Sequence, residues 1–158
     1  MKKVLFSLDV HDPQTRSYNM SCIKGKGTKP EEIVRKYLFS RGFRYIKNDP
    51  KLPGKPDVVL PKYKCVVFVN GCFWHHHEGC RYFKWPSNNA DFWKEKITKN
   101  TERDKHNALL LQEAGWNVIV IWECELKRCK EETLLVLEER IKGNQSYCST
   151  TKTTQNTK

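Results

Sequence analysis

The stretch Leu52-Pro53-Gly54-Lys55-Pro56-Asp57-Val58-Val59-Leu60, then Cys65-Val66-Val67-Phe68-Val69-Asn70-Gly71-Cys72-Phe73-Trp74-His75-His76-His77-Glu78-Gly79-Cys80, decides the fold. Asp57 to Leu60 reads as a short strand with an acid at its start, broken by Pro61, and Cys65 to Val69 reads as a stronger, buried strand. From Asn70 to Asn89 neither the helical nor the strand period holds, and Cys, His and aromatic residues crowd together. A loop of that length inside a domain is usually functional or pinned by something.

Working outward, Thr28-Lys29-Pro30-Glu31 has capping-box spacing, and Ile33, Val34, Tyr37 and Leu38 continue at helical spacing to a stop at Gly42. Phe43 to Ile46 suggests a first short strand. Ala90 to Ala114 reads as helix with Gly115 at its end, Val118 to Trp122 as a second buried strand, and Glu131 to Lys142 as a closing helix stopped by Gly143. The order α-β-β-β-loop-α-β-α predicts an α/β fold, a mixed central sheet flanked by helices. Residues 1–27 read as a basic arm, 28–142 as the folded domain and 143–158 as a disordered polar tail.

The chain of 158 residues carries 29 Lys+Arg against 18 Asp+Glu, a net charge of +11. That length suits one domain, and the charge favours a polyanionic partner. No apolar run approaches the roughly 18 residues of a membrane helix. Met1 to Leu8 mimics a signal peptide, but Asp9 and Asp12 cut the apolar region short, so an intracellular, cytoplasmic protein is expected. Seven cysteines, an odd count without a secretion signal, read as core residues or metal ligands.

Cysteine and imidazole groups a few residues apart can converge on tetrahedral zinc. Cys72, Cys80 and Cys124 with one of His75, His76 or His77 supply four ligands, enough for a closed structural site. Asp57, entering a strand after a Pro/Gly turn, can hold Mg²⁺ or simply cap the turn. Many Mg²⁺-dependent nucleases pair Pro-Asp with an acid-x-Lys on the next strand, but here Phe68-Val69-Asn70 occupies that place. Glu31 is fully explained as a capping residue. Histidine is the side chain most often used as a general base, which makes His75 a candidate, with Asp104 on the long helix as a candidate to orient it. Phe73, Trp74, Phe83, Trp85, Phe92 and Trp93 interleave with Lys84, Lys94, Lys96 and Lys99. Aromatics in such a setting stack on bases or wedge between base steps, although Phe92, with its helical neighbours, reads as core.

Thr15-Arg16-Ser17, Asn19-Met20, Gly27-Thr28-Lys29-Pro30-Glu31, Leu52 to Asp57, Gly71-Cys72-Phe73-Trp74-His75 and Trp122-Glu123-Cys124, in that order, resemble the very short patch repair endonucleases. The resemblance runs from about Thr15 to Ile141 and implies a restriction-endonuclease-like core with a zinc-pinned loop. It implies a Mg²⁺-dependent enzyme that nicks one strand of double-stranded DNA 5′ of the thymine in a T:G mismatch, where 5-methylcytosine has deaminated. By that resemblance Asp57 and the Val69 carbonyl would hold Mg²⁺, His75 supported by Asp104 would activate water, and Glu31 would hold a water of the Mg²⁺ shell. Cys72, His77, Cys80 and Cys124 would hold zinc. Phe73, Trp74 and Trp93 would intercalate, and Met20 and Ile23 would grip the opposite groove. The protein would act as a monomer, with mismatch-repair proteins as candidate partners. One member of the family has a histidine at the position of Asn70, and its His-to-Cys spacing in the zinc loop is one residue shorter than His77 to Cys80. Two other readings are a restriction-type nuclease on matched DNA and a catalytically silent, zinc-stabilised DNA-binding module.

Overall fold

Strand β2 (Cys65–Asn70) organises a three-stranded mixed sheet with β1 (Val58–Leu60) on one edge and β3 (Asn117–Trp122) on the other. The computed structural model describes residues 13–143 apart from Lys24. β1 runs antiparallel to β2 with Val58 opposite Val67 and Leu60 opposite Cys65. β3 runs parallel to β2 from the Cys65–Asn117 pair to the Asn70–Trp122 pair. The helices are α1 (Pro13–Ser21), α2 (Lys29–Ser40), α3 (Ala90–Glu113), α4 (Glu123–Arg128) and α5 (Lys130–Lys142). Among the described residues no helix is long and apolar enough to cross a membrane.

Because strand side chains alternate between faces, the apolar runs feed two layers. Cys65, Val67, Val69, Ile119 and Ile121 pack against Val34 and Leu38 of α2, Leu126 of α4, and Leu134, Leu137 and Ile141 of α5. Val66 and Val59 meet Leu111 of α3 on the opposite face, with Phe68 and Val118 beside them. Burial pushes the Cys65 thiol up to about 12, so it is an inert core residue. Across the first layer, buried Glu138 accepts from Arg41 Nε (2.8 Å), Tyr37 Oη (2.7 Å) and Lys142 Nζ (2.6 Å), which ties α5 to α2. These bonds, that of Arg41 foremost, hold its carboxyl at about 2.

Both expected glycine stops of α2 and α3 are left-handed: Gly42 at φ 85° and Gly115 at φ 82°. Phe43 N–H returns to the Leu38 carbonyl and Trp116 N–H to that of Leu111, each at the distance of an ordinary hydrogen bond. These are Schellman closures that a side chain at either glycine would strain.

Three expectations change. Phe43 to Ile46 is not a strand, because Phe43 turns into the core and Asn48, at φ 44°, reverses the chain soon after. Only Ile46 pairs, in an isolated bridge to Val59. The arm contains a helix, α1, and its residues 1–12 lie outside the described residues, as does the tail from residue 144. The sequence reading also missed α4, a short helix whose first turn is tied back by the Trp122 N–H donating to Glu125 Oε2 at 2.9 Å. Leu137→Ala, which empties a fully buried position, should cost about 2–5 kcal/mol. Leu135→Ala, 54% exposed, should stay within about 0.5 kcal/mol. Urea denaturation of both variants checks the assignment of the α5 faces.

Candidate active site and metal centre

The Pro-Gly turn delivers Asp57 to the mouth of the sheet. Gly54 sits at φ 72°, and a Cβ there would come within 3.1 Å of Asn107 Nδ2 and 3.2 Å of Phe68, so the turn is packed where only glycine fits. The β1–β2 pairing stops at Val58–Val67, which leaves the Val69 amide available. It donates to Asp57 Oδ2 at 2.7 Å, while Asn48 Nδ2 donates to Oδ1 at 3.3 Å. In extended backbone the N–H and C=O of one residue face the same edge, so the Val69 carbonyl lies on the edge of β2 that its amide presents to Asp57. Burial raises the Asp57 carboxyl to about 6; the Val69 hydrogen bond opposes the rise, and the nearby Glu31 charge adds to it.

Glu31 is 3% exposed. Its oxygens accept from Gly27 N–H and Thr28 Oγ1, both at 2.9 Å, and lie 3.2 Å from Arg35 Nη2. The expected capping box is therefore altered. Thr28 gives its hydroxyl to the carboxylate instead of capping a backbone amide, and Glu31 reaches one residue further back. His75 Nδ1 and Asp104 Oδ2 stand 2.5 Å apart. Trp74, next to His75, is anchored by Asn100 Nδ2 donating to its carbonyl at 3.2 Å.

Glu31, Asp57, Val69, His75 and Asp104 all line one open cavity of about 1140 Å³. Met20, Ile23 and Trp74 line it too, together with the cations Lys26, Lys55, Lys96 and Arg103. An acidic centre with a basic rim suits a phosphodiester whose flanking phosphates are held while one is attacked. The sequence reading missed Arg35 and Asn48. Arg35 carries a signal, its i+4 spacing from Glu31; nothing marks Asn48.

The loop after β2 folds back through His75 N–H to the Gly71 carbonyl and His77 N–H to that of Cys72. Cys72, His77, Cys80 and Cys124 then bring one ligand atom each within 4.8 Å of all the others. His77 Nδ1 lies 3.7 Å from Cys72 Sγ and 3.3 Å from Cys124 Sγ. The ligand atoms of a tetrahedral zinc stand roughly 3.5–3.8 Å apart, given its bond lengths, so three thiols and this imidazole fit the ion. His77, not His75 or His76, faces the sulfurs, and its ring stacks on Trp122 with centroids 4.0 Å apart and planes at 3°.

Phe73, Trp74 and Trp93 form a half-buried cluster with centroid distances of 5.2, 5.5 and 5.9 Å. Lys96 Nζ lies 5.6 Å from the Trp74, Phe92 and Trp93 rings. Phe92 is not core: it is 56% exposed, and in the first turn of α3 its ring meets Trp93 and Lys96 at the surface. Of the cluster, Trp74 reaches the cavity, while Phe73 and Trp93 stand behind it.

Protein purified without chelator should carry about one zinc per chain by elemental analysis. Cys124→Ser should lose that metal and melt at a lower temperature; full retention would refute the ligand set. Asp57 gives a pH prediction. Its native value of about 6 lies above the ordinary carboxylate value, so the folded state binds the proton more tightly than the unfolded chain. In cation-free buffer its contribution to stability therefore falls as pH rises from about 4 to about 6, and stays low above that. Asp57→Asn sets its NH₂ against one of the two donors, Val69 N–H or Asn48 Nδ2, a cost that does not vary with pH. Its melting temperature should therefore gain on that of wild type between pH 4 and pH 7.5, as read by thermal denaturation.

A family model described as DNA mismatch endonuclease Vsr matches residues 8–81. A Type II nicking enzyme of Neisseria meningitidis, V.NmeAIP, is 52% identical over 134 residues, 83% of this chain and 95% of the relative. The DNA mismatch endonuclease Vsr of Escherichia coli is 45% identical over 133 residues, 84% of this chain and 85% of that protein. A Type II nicking enzyme of Xanthomonas oryzae, V.XorIIP, is 44% identical over 131 residues, 83% of this chain and 92% of the relative. With identities of 44–52% over 83–84% of its length, the chain belongs to the Vsr family of DNA mismatch endonucleases.

Proposed function

We propose that this protein nicks double-stranded DNA 5′ of the thymine of a T:G mismatch, with Mg²⁺ at Asp57 and zinc in the cysteine cluster. The observation that carries the reading is the meeting of Asp57, His75 paired with Asp104, and the aromatic Trp74 around one basic-rimmed cavity. Asp57 and the Val69 carbonyl offer the one or two protein oxygens that Mg²⁺ takes beside its waters. When bound, Mg²⁺ neutralises charge at the phosphodiester and makes water a stronger nucleophile.

The chain's own groups supply the rest. With His75 Nδ1–H donating to Asp104, Nε2 is left as the acceptor, the tautomer a general base requires. Water attacks phosphorus, its proton passes to Nε2, and the bond to the 3′ oxygen breaks. The departing oxygen takes a proton from solvent water in the open cavity, which leaves 5′-phosphate and 3′-hydroxyl ends. Glu31, held by Gly27, Thr28 and Arg35, is a fixed acceptor for a water on the same side of the cavity. Phe73, Trp74 and Trp93 enter the base stack beside the mismatch, which yields more readily than a paired step. Met20 and Ile23, on the arm side of the cavity, hold the opposite groove. The protein acts as a monomer in the cytoplasm, on nucleoid DNA, with mismatch-repair proteins as partners. Residues 1–27 serve as the DNA-contacting arm and 28–142 as the catalytic domain.

Labelled duplexes with one T:G pair, beside matched controls, test this in the presence of Mg²⁺. The expected result is nicking of the mismatched pool alone. His75→Ala should slow it by about 10²–10⁴-fold, and Asp57→Asn should abolish it, while both variants bind the mismatched duplex within a few-fold of wild type. Equal cutting of both pools would instead indicate a restriction-type enzyme.

A further inference from the structure

One buried guanidinium joins the elements that build the nuclease centre. Arg35, 7% exposed on α2, donates to the Asp57 backbone carbonyl from Nη2 at 2.9 Å and from Nε at 3.3 Å. Nη2 also donates to Asn48 Oδ1 at 3.0 Å and lies 3.2 Å from Glu31 Oε2.

The chemistry of an amide makes this arrangement directional. Guanidinium only donates, so the Asn48 oxygen must face Arg35, and the Asn48 NH₂ is then turned to Asp57 Oδ1, 3.3 Å away. The opposite amide orientation would set donor against donor at Arg35 and acceptor against acceptor at Asp57. Asn48 holds a left-handed backbone at φ 44°, a conformation in which Asn is several-fold enriched. Asp57 is thus gripped at its backbone by Arg35, at Oδ1 through Asn48, and at Oδ2 by the Val69 amide. Arg35 is also in contact with buried Glu31, so it supplies positive charge to a carboxylate pair otherwise left to the divalent cation.

We propose that Arg35 is a positioning residue of this site, which orients the Asp57 carboxylate through Asn48 and serves as the counter-ion of Glu31 before the divalent cation binds. Only the activity part of the inference rests on the endonuclease reading above.

The test compares wild type with Arg35→Met, Arg35→Lys, Asn48→Leu and the Arg35→Met/Asn48→Leu double variant. Melting is measured in EDTA and in Mg²⁺, duplex affinity in EDTA, and nicking under single turnover. Arg35→Met should melt lower in EDTA, and Mg²⁺ should raise its melting temperature by more than it raises that of wild type. Its nicking rate should fall by about tenfold or more with duplex affinity within about twofold. Asn48→Leu should slow nicking similarly, and the double variant no further than the slower single one. Arg35→Lys should recover the melting temperature but not the rate, since it keeps the charge and loses the fork. Multiplying rate losses in the double variant, or equal Mg²⁺ increments in Arg35→Met and wild type, would overturn the proposal. If wild type fails to nick, the endonuclease reading falls alone, and the melting comparison still decides the counter-ion role of Arg35.

Discussion

The register of β2 against its two neighbours is the constraint on which both centres depend. Toward β1, the pairing of Val58 with Val67 places Asp57 where its carboxylate receives the Val69 amide. Toward β3, the parallel pairing ends at Asn70 and Trp122. Cys72 and Cys124 therefore leave the sheet side by side, each two residues past the last pair, and begin the zinc-sized cluster. A slip of one residue would exchange the two faces of β2. It would turn Cys65, Val67 and Val69 out of the first core layer and separate the two cysteines. The hydrophobic alternation that stabilises the sheet thus also fixes the geometry of the chemistry.

The loop between β2 and α3 serves both centres without regular structure of its own. Its Cys72, His77 and Cys80 turn toward Cys124, while His75 between them turns toward Asp104 on α3. A metal in the cluster would make the placement of His75 part of a cross-linked unit, in which chelation would loosen the base as well as the fold. Burial of Asp57 and Glu31 carries a standing electrostatic cost. Arg35, 3.2 Å from Glu31, is placed to offset part of it, and a divalent cation bound between the two carboxylates would offset more.

Much of this was legible in the sequence because it depends on short-range pattern. The runs Val58 to Leu60 and Cys65 to Val67 lie inside as their apolar character demands, whereas in Val118 to Trp122 only Ile119 and Ile121 are buried and Val118 and Val120 line the open cavity. Gly42 and Gly115 mark helix ends through their left-handed closures. The Cys/His spacing announced a metal-sized cluster, the resemblance singled out His77, and in the fold it is His77 whose ring nitrogen faces the sulfurs. What failed depended on tertiary context. Phe43 to Ile46 has strand composition but is claimed by the core and by the turn at Asn48. Phe92 has helical neighbours but lies on the exposed face of the first turn of α3, and α4 is too short to show a period. Arg35 and Asn48 stayed hidden because their meaning arises from contacts 9 to 22 residues apart in sequence.

The central claim is that one centre, built on Asp57 and His75, hydrolyses a single bond beside the mispaired thymine. Mapping the product at nucleotide resolution, with each strand of a T:G duplex labelled in turn and its ends characterised, tests that most directly. The account predicts a break only in the thymine strand, immediately 5′ of the thymine, with a 5′-phosphate and a 3′-hydroxyl that ligase can reseal. Breaks in the guanine strand, in both strands, or with 5′-hydroxyl ends would contradict it.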